Sequence, residues 1–483
     1  MSIHIVDLLI FIVYLIFMLG VGFYFMRKNT SKEDYFVGGR SMTAGHIGLS
    51  VVATDVGGGF SIGLGGLGFA MGLSGSWMLF TGLLGAWLSA VILIPKIYPI
   101  AKKHNFLTFP QTLSFHYGKR VALVAGIISF IGYLGFTSSQ ILAGAKLASA
   151  TFPAISINDA TLIMGIIAVV YTVIGGIKAV IYTDTIQWMI LMVGLLFIGL
   201  PIGYISIGGW EGLKTYVPEK FISLNNVGFI QVFNWMITIV PIWFVGMTLY
   251  QRIYACKDVK TAKKAWRIAG LFEWPIMAFM GVALGMFARV AFEQGMFSDI
   301  GFAPGSTMDA ELGLPLLLSK ILPIGLMGLM MAAYFSAIMS TADSCLMAAS
   351  GNLITDVLDH FRPTKKNNEI KKSQWITLLI GAIAIVLATM MHSVLDMMLY
   401  SYAFMVSGLL VPVLGTLIYK NPSSTAALFA MIFGGTTTLT LIKLNLNLPF
   451  GLDENFFGIS VSAILFFIIQ HTQNRTHEFS PTK

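Results

Sequence analysis

The chain is short of charge. Only 11% of its 483 residues are Asp, Glu, Lys or Arg, where a soluble domain carries about 25%. With 56% hydrophobic residues and a mean hydropathy of +0.80, a large water-soluble enzyme is excluded. The net charge of +8 argues for no nucleic-acid partner, because a polytopic chain gathers lysine and arginine in its cytoplasmic loops. Cysteine is nearly absent, and Cys256 and Cys345 make neither a disulfide framework nor a metal-type spacing. No basic n-region or small-residue cleavage site accompanies 8–26, which reads as a retained spanning helix. No catalytic constellation is visible, and His46, His116 and His392 read as interfacial residues, so no enzyme is predicted. The longest polar stretches, 252–267, 291–314 and 359–373, are loop-sized, and the tail after Gln470 is short, polar and expected to be mobile.

Apolar runs are what the chain has. A helix needs roughly 20 apolar residues to cross the hydrocarbon core. Runs of that length fall near 5–26, 44–70, 75–95, 121–150, 159–177, 180–207, 229–251, 268–290, 315–355, 374–392, 397–419, 421–442 and 455–472. The 315–355 run is long for one crossing and predicts a short external helix before it. The expectation is an all-α polytopic membrane protein of about thirteen transmembrane helices. Basic residues test the count. With the N-terminus outside, 24 of the 30 lysines and arginines fall on the inner side, among them Arg40, Lys102, Lys119, Lys178, Arg252, Lys264, Lys371 and Lys420. External segments hold acids instead, including Glu211, Glu219, Glu293, Asp299, Asp453 and Glu454. An N-terminus outside and a C-terminus inside follow.

Several of these helices contain their own interruption. The second run includes Thr54, Asp55, Val56, Gly57, Gly58 and Gly59. Three consecutive glycines cost a helix roughly 1 kcal/mol each relative to alanine, and an aspartate at membrane depth costs more. Glycines alone would serve close helix packing; glycines beside a carboxylate free backbone carbonyls next to a negative charge, which makes a cation site. Pro241 and Gly246 interrupt the seventh run. Broken helices at matching places in two five-helix halves mark an inverted-repeat transporter. The halves would be 44–207 and 229–419, joined by an external loop at 208–228. An extra helix and linker at 1–43 precede them, and two more helices and a tail at 420–483 follow. In the ninth run Ala337, Ser340, Thr341 and Ser344 share an arc of about 100°, a pattern that either packs helices or presents oxygens on one face. Asp343 stands beside that arc. Asp184 lies at the start of the sixth run, where it either neutralises Lys178 or serves a cation.

Together these pieces resemble the sodium:solute symporter family, whose core is LeuT-type. The resemblance runs from Asp34 to about residue 420. It is carried by 34–40, by 171–187 with Gly175, Gly176, Thr183 and Asp184, and by 339–344 with Ser340, Thr341, Asp343 and Ser344. It implies a main sodium site of the carbonyls of Ala53, Val56 and Ala337 with the hydroxyls of Ser340 and Thr341, oxygen ligands that suit a hard cation. It also implies an ion-coupling role for Asp55 and a possible second sodium at Asp184, Ser340, Asp343 and Ser344. The implied substrate pocket lies beside the glycine break, at Gly58, Gly59, Phe60, Ser76, Trp77, Phe136, Gln140, Trp243, Met247 and Tyr400. The 56–60 segment is similar to the choline-transporting branch, but Asp55, Phe136 and Gly246 stand where that branch's tryptophans are expected. Glu273 is peculiar to this chain. It either pairs with Lys264 or Arg267 or faces the pocket and receives a substrate ammonium.

The function these features imply is secondary active transport: sodium-coupled symport, by alternating access, of a small polar organic solute, an amino acid or an amine-type compound. A sugar or carboxylate symporter is the nearest variant. A proton-coupled transporter using Asp55, Asp184 and Asp343 is the main rival, and a transport-like sensor is a reading of another class, which would carry a signalling domain after residue 420. A bacterial inner membrane and a functional monomer are expected, with sodium as the only cofactor and the bilayer as the surrounding partner.

Overall fold

The computed structural model describes residues 4–26, 32–55, 57–152, 155–361 and 369–478. Side chains at some positions inside these stretches, 58–61 and 174–179 among them, lie outside the description. The described chain is helical, and its one β-bridge pairs Met42 with Cys256. We number the principal helices α1 (Ile5–Met26), α2 (Ala44–Asp55), α3 (Gly58–Met71), α4 (Trp77–Ile92), α5 (Ile94–His104), α6 (Phe109–Tyr117), α7 (Lys119–Thr151), α8 (Ile157–Gly194) and α9 (Leu200–Ser206). They continue as α10 (Phe229–Val245), α11 (Met247–Ala255), α12 (Val259–Leu271), α13 (Ala278–Glu293), α14 (Ala310–Ile321), α15 (Leu326–Gly351), α16 (Glu369–Thr389), α17 (Val394–Ile418), α18 (Ser424–Leu444) and α19 (Glu454–Glu478). Among the described residues nine helices are long and apolar enough to cross a membrane, and ten if the bent pair α10–α11 is one span. Ile5–Met18 and Ile157–Val173 are shorter apolar helices.

The breaks fall at glycines. Gly57 separates α2 from α3, and Gly246 separates α10 from α11, whose axes differ by 42°. Pro241 sits within α10 without ending it. A third discontinuity is at Trp274, whose φ of −138° and ψ of 126° leave the helical region between α12 and α13. Pro275 follows it and cannot donate a backbone hydrogen. The α8 stretch doubles back on itself: Tyr171 Oη donates to Thr183 Oγ1 at 3.2 Å, whereas twelve residues of straight helix rise about 18 Å.

Helix starts carry oxygen side chains that take the free N–H groups of the first turn. Ser156 receives the amide of Asp159, Asp258 that of Thr261, and Asp309 that of Glu311. Asp7 of α1 does this for another helix, accepting the amides of Gly325 and Gly328 at 2.7 Å each and fastening α1 to the start of α15.

Three expectations need correcting. The polar stretch 252–267 is not a loop, because 259–267 belong to α12: Lys260, Lys264 and Arg267 point outward, while Ala262, Ala265 and Trp266 are buried at helical spacing. Arg252 is likewise no loop residue but is fully buried in α11. The tail after Gln470 continues α19 as helix to Glu478. The short helix expected before the ninth span is α14.

At the C-terminal end, α17, α18 and α19 meet through small residues. A Cβ on Gly434 would lie 2.3 Å from the carbonyl oxygen of Ser407, and one on Gly458 2.0 Å from Thr438 Oγ1. Thr438 in turn donates to Ser407 Oγ at 2.7 Å.

Candidate functional site

The site is built where the α2–α3 break meets α15. Thr341 Oγ1 lies 3.1 Å from the carbonyl oxygen of Ala53 and 3.3 Å from that of Ala337, sharing its hydrogen between them. Gly57 makes this approach possible. A Cβ there would fall 1.4 Å from Thr341 Oγ1 and 2.9 Å from the Ala337 carbonyl oxygen, so no larger residue fits. Ala53, Gly57, Ala337 and Ser340 line one hollow with Val52, Gln187, Trp188, Leu191 and Met277, and it has no room for a water molecule. Val56 lies outside the described residues. The donor set of carbonyls and hydroxyls suits an alkali cation, and the cradle exists only because position 57 has no side chain.

Ser340 turns its hydroxyl to Asp184 Oδ1 at 2.5 Å. Asp184 Oδ2 accepts from Ser50 Oγ at 2.5 Å and forms an ion pair with Arg252 Nη2 at 3.0 Å, both partners being fully buried. Arg252 also reaches Thr54 Oγ1 at 2.5 Å, Ser344 Oγ at 2.8 Å, Ser50 Oγ at 2.9 Å and the Thr248 carbonyl oxygen at 3.2 Å. One guanidinium thereby joins α2, α8, α11 and α15. Of the residues expected around a second sodium, Asp184, Ser340 and Ser344 converge on this network. Asp343 does not: its Oδ1 accepts from Thr172 Oγ1 at 2.5 Å, on another side of α15.

Asp55, the last residue of α2, is buried. Its Oδ1 accepts from Tyr402 Oη at 3.3 Å. Its carboxyl group lies against that of Glu273, itself fully buried, and neither Asp55 Oδ2 nor either Glu273 oxygen has a hydrogen-bond partner outside this pair. Glu273 therefore pairs with neither Lys264 nor Arg267. Phe136 packs edge-on to Tyr402, with ring centroids 4.9 Å apart.

The remaining expected pocket residues divide. Gln140 is buried in α7, donating to Ser139 Oγ at 3.2 Å. Trp243 is buried against Trp266, and Gly85 admits its ring, since a Cβ there would lie 2.3 Å from Trp243 Cδ1. The Met247 sulfur accepts the amide of Phe109 at 3.2 Å. What surrounds Gly58, Gly59 and Phe60 lies outside the description. Ser76 and Trp77 are not at the break; the fourteen residues of α3 put them about 20 Å away along that helix, where Trp77 Nε1 donates to the Leu224 carbonyl oxygen at 3.0 Å. Tyr400 is 39% exposed on the outer face. Two residues of helix turn a side chain by about 200°, so Tyr402, which the sequence reading missed, takes the inward place. Arg252, Ser50, Thr54 and Thr172 were missed too. The available signal for Arg252 was a lone aspartate, Asp184, that needed a buried cation.

Comparison with known proteins agrees with this architecture. The chain matches the sodium:solute symporter family over residues 35–434. It is 27% identical over 467 residues to the high-affinity proline transporter PutP of Bacillus subtilis, covering 94% of this chain and 95% of that one. It is 26% identical over 453 residues to the sodium/pantothenate symporter of Escherichia coli, covering 90% of each. Among solved structures, a Na+-coupled sialic acid symporter in a substrate-bound outward-open state superposes with a TM-score of 0.81 at 20% identity, over 99% of both chains.

Proposed function

This chain belongs to the sodium:solute symporter family and is a sodium-coupled symporter of a small organic solute, and on that premise we propose which residues do the coupling and how the chain lies in the membrane. Sodium, as co-substrate, is held by the carbonyls of Ala53, Val56 and Ala337 and the hydroxyls of Thr341 and Ser340. The observation that carries this reading is the Thr341 hydroxyl between the carbonyl of Ala53, just before the break in α2, and that of Ala337 on α15. Ser340 lines the same hollow and joins the set by rotating about χ1, away from Asp184.

The second sodium gives way to the chain's own cation. Arg252 lies between Asp184 and Ser344, so the charge an additional sodium would bring there is already supplied, and one sodium is moved per cycle. The same pairing takes Asp184 out of the proton-coupled alternative. With one sodium, a membrane potential contributes about 2.3 kcal/mol per 100 mV, enough for a roughly fiftyfold gradient of a neutral solute.

The multi-pass chain crosses the membrane thirteen times, N-terminus out and C-terminus in. Its five-helix halves are 44–207 and 229–419, with 208–228 external between them and two helices and the tail in 420–483. The breaks at Gly57 and Gly246, one in each half, support that division. Substrate binds beside the first break, and the two repeats rock about it to expose the site to either side. A bacterial inner membrane and a functional monomer complete the proposal. The test is thermal unfolding of the purified protein in sodium and in potassium at equal ionic strength. Sodium stabilises the native chain, and Ser340→Ala with Thr341→Ala abolishes the difference; a double variant that keeps the full sodium shift overturns the assignment.

A further inference from the structure

Two carboxyl groups face each other inside the bundle, and neither is neutralised by a described basic residue. Glu273 is the acid in question. The departure from helix at Trp274 turns it inward, where it is fully buried. Only a glycine lets it lie there, since a Cβ at Gly82 would stand 2.1 Å from Glu273 Oε2. Asp55, at the end of the broken α2, comes against it from the other side. Asp55 Oδ2, Glu273 Oε1 and Glu273 Oε2 receive no hydrogen bond from outside this pair. The described buried cations are committed elsewhere: Arg252 to Asp184, and Lys146 to Asp309 and Glu311.

Acceptor oxygens left unpaired in a dry interior are costly, and two carboxylates side by side add repulsion. Such a pair belongs to a site whose ligand brings both positive charge and hydrogens. A primary ammonium carries one charge and three N–H donors, enough to reach both carboxyl groups at once. A quaternary ammonium has no N–H to give to either carboxyl group. A neutral polyol brings donors but no charge. Tyr402, its hydroxyl on Asp55, and Phe136, packed edge-on to Tyr402, put aromatic surface next to the pair, which suits the carbon adjoining the nitrogen. Building on the symport reading, we propose that Asp55 and Glu273 form the head-group site for a primary amine, so that the solute moved with sodium is a cationic amine rather than a sugar or a quaternary ammonium compound.

The experiment uses the purified full-length chain in sodium and in potassium, with n-butylamine, putrescine, choline, proline and myo-inositol as probes. Primary amines raise the unfolding midpoint in sodium, and choline and myo-inositol do not. Glu273→Gln weakens n-butylamine and putrescine at least tenfold while keeping the shift produced by sodium alone, which shows that the variant folds; Glu273→Asp retains part of the binding. Unchanged amine affinity in Glu273→Gln overturns the proposal. So does a sodium shift with no response to either primary amine, and that result leaves the symport reading standing. Primary amines that bind equally in potassium, with no effect of sodium, overturn the symport reading and leave the amine site in place.

Discussion

Arg252 is the residue whose removal the chain should tolerate least. Its guanidinium and the Asp184 carboxylate are both fully buried and 3.0 Å apart. Replacing Arg252 by methionine strands a buried anion, and replacing Asp184 by asparagine strands a buried cation; each single change costs about 3–5 kcal/mol. The arginine change carries more, because the hydroxyls of Ser50, Thr54 and Ser344 and the carbonyl of Thr248 lose a donor as well. A net hydrogen bond is worth about 1 kcal/mol, but part of that loss is recovered: Thr54 and Ser344 already sit 3.1 Å apart and can donate to one another. We therefore expect about 5 kcal/mol for Arg252→Met and about 3 for Asp184→Asn. The double variant, with no charge left to bury, should cost no more than the milder single one, which puts the coupling at several kcal/mol. Reversible unfolding in mixed dodecylmaltoside and SDS, followed by tryptophan fluorescence, measures all four corners of the cycle. Costs that add to within about 0.5 kcal/mol would refute the picture of one shared buried ion pair.

Two further outcomes follow from local geometry. Gly57→Ala places a carbon 1.4 Å from Thr341 Oγ1, so it should cost about 1–3 kcal/mol as overpacking and remove the sodium-dependent part of thermal stability; an alanine variant with a normal sodium shift would show that the cradle lies elsewhere. Asp453, ahead of α19 and bonded to Asn234 Nδ2 at 2.9 Å, has its carboxyl pushed up to about 6 by burial, with Glu454 adding to it. Its folded value lies above its ordinary one, so its contribution to stability is full below about pH 4 and is lost as pH rises through about 6. The unfolding midpoint of the native chain should fall between about pH 4 and 6, and Asp453→Asn should flatten that fall; an unchanged slope in the variant would exclude Asp453 as its source.

Much of the helical order was legible because the bilayer imposes a length that apolar runs must meet, and because glycines beside Asp55 cannot be good helix. The arc of Ala337 and Thr341 was legible for a similar reason: one helix fixes its own angular spacing. What escaped notice depended on relations between helices. Arg252 sits in a basic segment, and counting charges by membrane side sweeps it in with true loop residues; only the turn at Gly246 carries it into the interior. Tyr400 and Tyr402 are equivalent by composition, and choosing between them requires knowing which face of α17 meets α2. Glu273 and Asp55 are far apart in sequence, and the non-helical backbone at Trp274 decides where the glutamate points. The helix over Val259–Leu271 was readable, however, since Ala262, Ala265, Trp266 and Ala269 recur at helical spacing beneath its lysines.

The glycine seam between α17, α18 and α19 bears on what can move. Where Gly458 lies against Thr438, and Gly434 against Ser407, there is less clearance than one methyl group needs, so these helices can neither slide past each other nor roll without first separating. They form a single stiff slab. Tyr402 rides on that slab, its hydroxyl against Asp55, so any tilt of α2 relative to α17 is felt by three helices at once. The last two helices, remote from every proposed ligand, act as ballast: they raise the cost of bending α17 and leave rotation at its edges as the easier movement. A single added carbon at Gly458 would loosen the slab and should slow or uncouple transport without touching a binding residue.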